Sequence, residues 1–128
     1  MTEEIVLTVP AQQAYVLVIR TALGGVALVN DLDVDTLDDL RQAADDACDL
    51  LMHQGASATC LRLEARCQGA QLCVTLAAQL EGSAPAPSPE ETELSRAVLE
   101  TLAPQVSLCA RADGLVERIE LTVPRAAG

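Results

Sequence analysis

The chain has no lysine, no phenylalanine, no tryptophan and one tyrosine in 128 residues. Without large aromatic rings, its core has to be assembled from Leu, Val, Ile, Ala and Cys. All eight cations are arginine, set against 19 acidic residues, for a net charge of -11. That deficit of positive charge excludes nucleic acid, whose phosphates demand basic neutralisation, and anionic membrane surfaces. No apolar run approaches the roughly 18 residues of a membrane span. The opening Met1-Thr2-Glu3-Glu4 is acidic, without the basic flank of a secretory leader. A cytoplasmic protein is expected, with its thiols reduced. The five cysteines show neither CxxC nor a Cys/His metal spacing. Cys48, Cys60, Cys67, Cys73 and Cys109 fall in helical or alternating apolar patterns, as small core residues do. Cys67, beside a turn, is the candidate for an exposed redox-active thiol.

What is present is ample apolar material, half of all residues. A single domain over 1–128 is expected, burying roughly 65–70% of the unfolded chain's surface. The acidity has two readings: it keeps an apolar-rich domain soluble, or it complements a basic protein partner.

Ile5 to Val9 alternates as a strand, with Ile5, Leu7 and Val9 on one face and Pro10 closing it. Tyr15, Val16, Val18, Ile19, Ala22, Leu23 and Val26 then follow helical spacing. Gly24-Gly25 weakens that helix near its end, by about 1 kcal/mol per glycine relative to alanine. Asn30 to Asp33 reads as a turn, Asp35 as an N-cap, and Leu37, Leu40, Ala44, Ala47, Cys48 and Leu51 as the buried stripe of a second helix stopped at Gly55. Thr59 to Arg66 places Leu61, Leu63 and Ala65 inward. Gln68-Gly69 turns the chain into Gln71–Leu80, apolar enough for a central strand. Glu81 to Pro89 is a Pro/Ser/Ala linker. Pro89-Glu90-Glu91 opens a third helix, with Leu94, Ala97, Val98 and Leu102 as its apolar face and Pro104 as its end. Val106–Ala110 and Leu115–Val123 close the chain as a hairpin around Ala112-Asp113-Gly114, before a tail from Arg125 to Gly128. The order β-α-α-β-β-α-β-β predicts an α+β two-layer sandwich, a mostly antiparallel sheet with helices on one face. Arg62, Glu64, Arg66, Glu117 and Glu120 are expected on its solvated face.

Three stretches carry a family resemblance. Pro10–Arg20 (PAQQAYVLVIR), Asp39–Cys48 (DLRQAADDAC) and Glu100-Thr101-Leu102 with the closing hairpin resemble the RsbW/SpoIIAB anti-sigma factor kinases, a branch of the GHKL ATPases. The element order matches that fold over nearly the whole chain. In the family, the helix matching Asp39–Cys48 carries Glu-x-x-x-Asn, the acid as general base and the amide as magnesium ligand. Asp46 falls at the acid, and Leu50 at the amide, where it offers no oxygen to a hard cation. Leu80 falls at the acid that holds adenine. Only Gly82 remains of the glycines after it, and the Pro-rich linker at 82–89 stands in place of the ATP lid. Glu93-Leu94-Ser95-Arg96 replaces the phosphate-cradling Gly-x-Gly-Leu, and a glutamate there repels polyphosphate. The resemblance therefore implies a binding module with Asp46 as a vestigial catalytic position and no cofactor, neither ATP nor magnesium.

What it implies about function is an anti-sigma factor that sequesters a sigma factor by stoichiometric binding. Release would come from an anti-anti-sigma (STAS-type) protein competing for the same surface, and the protein would form a homodimer through the sheet. The partner surface implied is the first helix and its surroundings: Arg20, Tyr15, Asp31 and Asp33. Arg20, the only cation in the first 40 residues, is read equally as a partner contact or as an ion pair with a nearby aspartate. Two alternatives stay open: an active serine kinase using Asp45, Asp46 and Asp49, for which transfer without phosphate-cradling groups would be slow, and a non-sigma adaptor on the same fold. A one-residue shift also aligns Asp45, Asp49 and His53 at i, i+4, i+8, a spacing able to hold a divalent cation or simply a solvated acidic edge. Asp31-x-Asp33-x-Asp35 resembles an EF-hand start, but Thr36 and Gln42 occupy the positions that need Gly and Glu.

Overall fold

The computed structural model describes residues 4–125; the expected acidic start at 1–3 and the tail at 126–128 lie outside the described residues. Five strands and three helices run β1 (Glu4–Pro10), α1 (Gln13–Val29), α2 (Val34–Met52), β2 (Ser57–Gln68), β3 (Gln71–Glu81), α3 (Pro89–Glu100), β4 (Gln105–Ala110) and β5 (Val116–Pro124). The sheet order is β1-β2-β3-β5-β4, with every neighbouring pair antiparallel. This is the expected α+β architecture, an antiparallel sheet with helices packed on it.

Strand alternation divides the sheet into two unlike faces. Leu61, Leu63, Ala65, Leu72, Val74, Leu76, Ile119, Leu121 and Val123 are buried beneath the helices. The apolar β3 is central, as expected, between β2 and β5. On the outer face, register brings Arg62, Ala77, Arg118 and Cys109 into one row and Glu64, Thr75, Glu120 and Ser107 into the next. Arg62 pairs with Glu64 at 2.9 Å and Arg118 with Glu120 at 3.4 Å. Glu117 is the extra residue of a bulge between β4 and β5, which lets Val116 point inward and Glu117 join Arg62 on the outer side.

Local details correct the expected boundaries. Asp33, rather than Asp35, caps α2: its carboxylate accepts the Thr36 amide at 2.7 Å, and this bond holds the Asp33 carboxyl below its ordinary pKa. α1 runs unbroken through Gly24-Gly25 to Val29, the end expected for it, and Gly24 faces α2, where a Cβ would lie 3.8 Å from Arg41 Nε. The β2–β3 turn is Gly69-Ala70, one residue later than expected. Arg125 is no free tail, since its amide donates to Ala70 O at 2.8 Å.

The cysteines also divide. Cys48 alone is buried, and desolvation, with the Asp45 charge, pushes its thiol pKa up to about 12. Cys60, Cys73 and Cys109 are partly exposed on the outer sheet face, the side opposite the core, so the core reading holds for Cys48 and, at the core's margin, for Cys67. Cys67 is half-buried, and its thiol donates to Oδ1 of the buried Asn30 at 2.9 Å. That bond ties β2 to the end of α1.

Candidate functional site

Two surfaces flank α2. On one side lies α1, whose buried face is Val16, Ile19, Leu23, Val26 and Ala27. Its opposite face is made of Ala14, Leu17, Val18, Thr21, Gly25 and Leu28, at helical spacing and all exposed. No charge interrupts that face. Its one hydroxyl, on Thr21, donates back to Leu17 O at 2.8 Å. Leu17 is 64% exposed, Leu28 69% and Val29, at the helix end, 79%. A helix apolar around most of its circumference belongs in an interior; α1 has an interior on one side only.

The expected partner residues are spread along this face and beyond its end. Tyr15, expected on the partner surface, and Val18, expected only to follow helical spacing, are about two-fifths exposed on the α1 flank, because the sheet and α2 cover only the opposite side of the helix. Arg20 Nε lies 3.7 Å from Asp45 Oδ2, with both side chains partly exposed. Asp31 sits past the C-terminal end of α1 with a positive φ of 55°, more than two helical turns beyond Arg20, and Asp33 is committed to capping α2. Tyr15 thus lies near the start of α1, Arg20 at its middle, and Asp31 and Asp33 past its end, and the four do not form one cluster. Arg20, Asp45, Asp46 and Asp49 line a shallow groove between α1 and α2 with Gln13, Val16 and Leu17.

On the other side of α2 is a cleft of about 690 Å³. Its walls are the second half of α2 (Asp46, Asp49, Leu50, His53), the linker (Pro85, Ala86, Pro87) and α3 (Glu91, Thr92, Leu94, Ser95, Val98, Leu99). The walls are anchored. The Gln54 side chain clamps the Val116 backbone, donating to its carbonyl and accepting its amide at 2.8 Å. Linker Ala84 and Ala86 pack on Gly55 and Gly114, both at positive φ, where an added Cβ would come within 2.9 and 2.8 Å. Arg111, paired with Asp113, donates to Gly82 O at 3.2 Å and holds the linker's start. The Ser88–Glu91 capping box fixes the first turn of α3.

The third helix is a correction. Leu94 and Val98, expected in its buried face, are 68% and 43% exposed and line the cleft, while Leu99 takes the core position. The reason is stand-off: α3 packs on the β4 edge, so its Leu94–Val98 side faces the gap beside α2.

The structure brings Asp46, Leu50, Leu94, Ser95 and the linker around this one cleft, while Leu80 lines a separate depression on the outer sheet face with Arg111 and Glu117. The shifted line Asp45, Asp49, His53 does not converge. Asp45 turns to Arg20, and Asp49 pairs with His53 Nδ1 at 3.0 Å. Asp46 accepts from Gln42 Nε2 at 3.1 Å. Gln54 and Val116 escaped the sequence reading, since a clamp spanning 62 residues leaves no local pattern. Among the described residues, no helix is long and apolar enough to cross a membrane. Compared with known proteins, the chain matches no family model and no curated protein sequence.

Proposed function

We propose that this domain is an anti-sigma-type regulator that works by stoichiometric protein binding, without phosphoryl transfer. The observation that carries the reading is the outward face of α1. It is a continuous uncharged apolar surface, and it rests on a helix firmly seated on its other side. Burying Leu17, Val18 and Leu28 in a partner would contribute about 25 cal/mol per Å² of apolar area removed from water. Asp31, Asp35, Asp38 and Asp39 continue the surface as an acidic margin, suited to the basic, DNA-facing regions of a sigma factor. The Arg20–Asp45 pair is partly exposed and worth at most about 1 kcal/mol, so a partner carboxylate could recruit Arg20 at little cost.

Release fits competition by an anti-anti-sigma (STAS-type) antagonist for the same face, since the cleft residues carry no phosphate-cradling set. A homodimer belongs to the same reading, with the alternating Arg/Glu rows of the outer sheet face as a self-complementary surface. The test is titration of purified sigma factors with the domain at low and high salt, beside the Leu17→Asp/Leu28→Asp variant. The expected result is a one-to-one subunit complex, weakened by salt and lost in the variant. A complex indifferent to salt would remove the electrostatic part of the reading. Nucleotide-dependent labelling of an antagonist protein, abolished by Asp46→Ala, would replace the reading with a kinase.

A further inference from the structure

The cleft between α2 and α3 has a composition of its own, sharing only Asp46 and Asp49 with the α1–α2 groove. Its volume of about 690 Å³ lies within the usual range for small-molecule sites, about 300–1,000 Å³. Its floor and walls are apolar: Leu50, Leu94, Val98, Leu99, Pro85 and Pro87. Its acidic lining is the carboxylates of Asp46, Asp49 and Glu91, beside the single imidazole of His53, and no arginine lines it. Leu94 and Val98 stay uncovered there although both are large and apolar. The anchors described above fix the walls before any ligand arrives, so little ordering cost attends binding.

The geometry points to a binding site for a small organic cation with an apolar body, such as an arylalkylamine. The ring or chain lies on Leu50, Leu94 and Val98 between the linker prolines and α2. The ammonium sits toward Asp46 and Asp49, where Asp49 exchanges its exposed His53 contact for the ligand. Anions of the same shape are excluded by the three carboxylates. The chemistry of the lining discriminates by charge first and by shape second.

The test uses 2-(1-naphthyl)ethylamine and, as its anionic counterpart, 1-naphthylacetate, with ATP–magnesium and an arginine-rich amphipathic peptide as further probes. Amide shifts of the full chain are followed by NMR during each titration. The expected result is saturable amine binding with shifts confined to the second half of α2, residues 85–87 and α3. Naphthylacetate and ATP should leave those amides unmoved. Asp46→Asn/Asp49→Asn should weaken amine binding about tenfold, as the loss of two part-exposed charge contacts implies. Ser95→Trp, which fills the cleft from α3, should abolish it while leaving the amide spectrum folded and partner binding at α1 intact. Leu94→Gln, at a position more than half exposed, provides a second variant that removes the apolar wall without threatening the fold. The inference is overturned by equal binding of the acetate, by nucleotide binding in the cleft, by peptide binding there without amine binding, or by amine shifts scattered outside it.

Discussion

The two flanks of α2 solve opposite problems with the same helix. Toward α1 it presents Ala44 and Cys48, both fully buried, with Arg41 lying close to Gly24 and Asp45 pairing with Arg20. Small side chains let the helices close up, leaving only the shallow surface groove beside Arg20 and Asp45. Toward α3 it presents Asp46, Leu50 and His53, which stand off and leave a cleft. The close-packed flank pushes all its unspent apolar surface outward, onto the convex face of α1. The open flank keeps its apolar surface inside a concavity ringed by carboxylates. A convex uncharged face suits a large partner, and a concave acidic one suits a small cation. The comparison teaches that packing distance along one helix decides which kind of ligand each side can take.

Breaking the close-packed flank has the largest expected effect. Leu23→Ala, at a fully buried α1 position, should cost about 2–5 kcal/mol in denaturant unfolding, whereas Leu50→Ala on the half-buried cleft wall should cost markedly less, about 1 kcal/mol. Equal losses would mean the cleft is closed in solution. Next in size is Gly114→Ala. Its φ of 89° and the 2.8 Å approach to Ala86 should cost about 1–3 kcal/mol and displace the linker wall, lowering both the melting temperature and amine affinity, with the α1 face unaffected.

A subtler comparison is chemical. At pH 8, iodoacetamide should modify Cys60, Cys73 and Cys109 in the folded protein and Cys48 only on unfolding, because burial pushes its thiol pKa up to about 12. The same shift makes the folded state hold its proton where the unfolded thiol, with an ordinary value of 9.0, loses it, so stability declines as pH rises above about 9. The smallest expected effect is at acid pH. The Thr36 amide lowers the Asp33 pKa and the Arg111 guanidinium lowers that of Asp113, each from 3.8. Their contribution is whole above that value and is lost as pH falls through the depressed folded pKa. Thermal melts of Asp33→Asn and wild type should therefore converge only below about pH 3.8.

Much of the fold was legible because the local signals agreed with one another. Alternation at Leu61, Leu63 and Ala65, the uninterrupted β3, and the Pro-Glu-Glu start of α3 each reported a real element. The misses share a cause: periodicity tells which residues line a face and stays silent on what covers it. Leu94 and Val98 form a true helical stripe, yet nothing in their spacing shows that α3 stands away from α2. At Tyr15 and Val18 the spacing marked a helix apolar on nearly all sides, and such a pattern does not say which side meets the sheet. The cleft's anchors were invisible for a different reason. Gln54 on Val116, and the linker alanines on Gly55 and Gly114, join segments far apart in sequence.

The measurement that bears most directly on the central claim is light-scattering titration of the domain with purified sigma factors, wild type against Leu17→Asp/Leu28→Asp. The account predicts a complex with one subunit of each protein for the wild type, and none for the doubly substituted domain, whose melting temperature should stay close to wild type because both positions are exposed. A folded variant that still binds its sigma factor, or a wild-type domain that binds none, would contradict it.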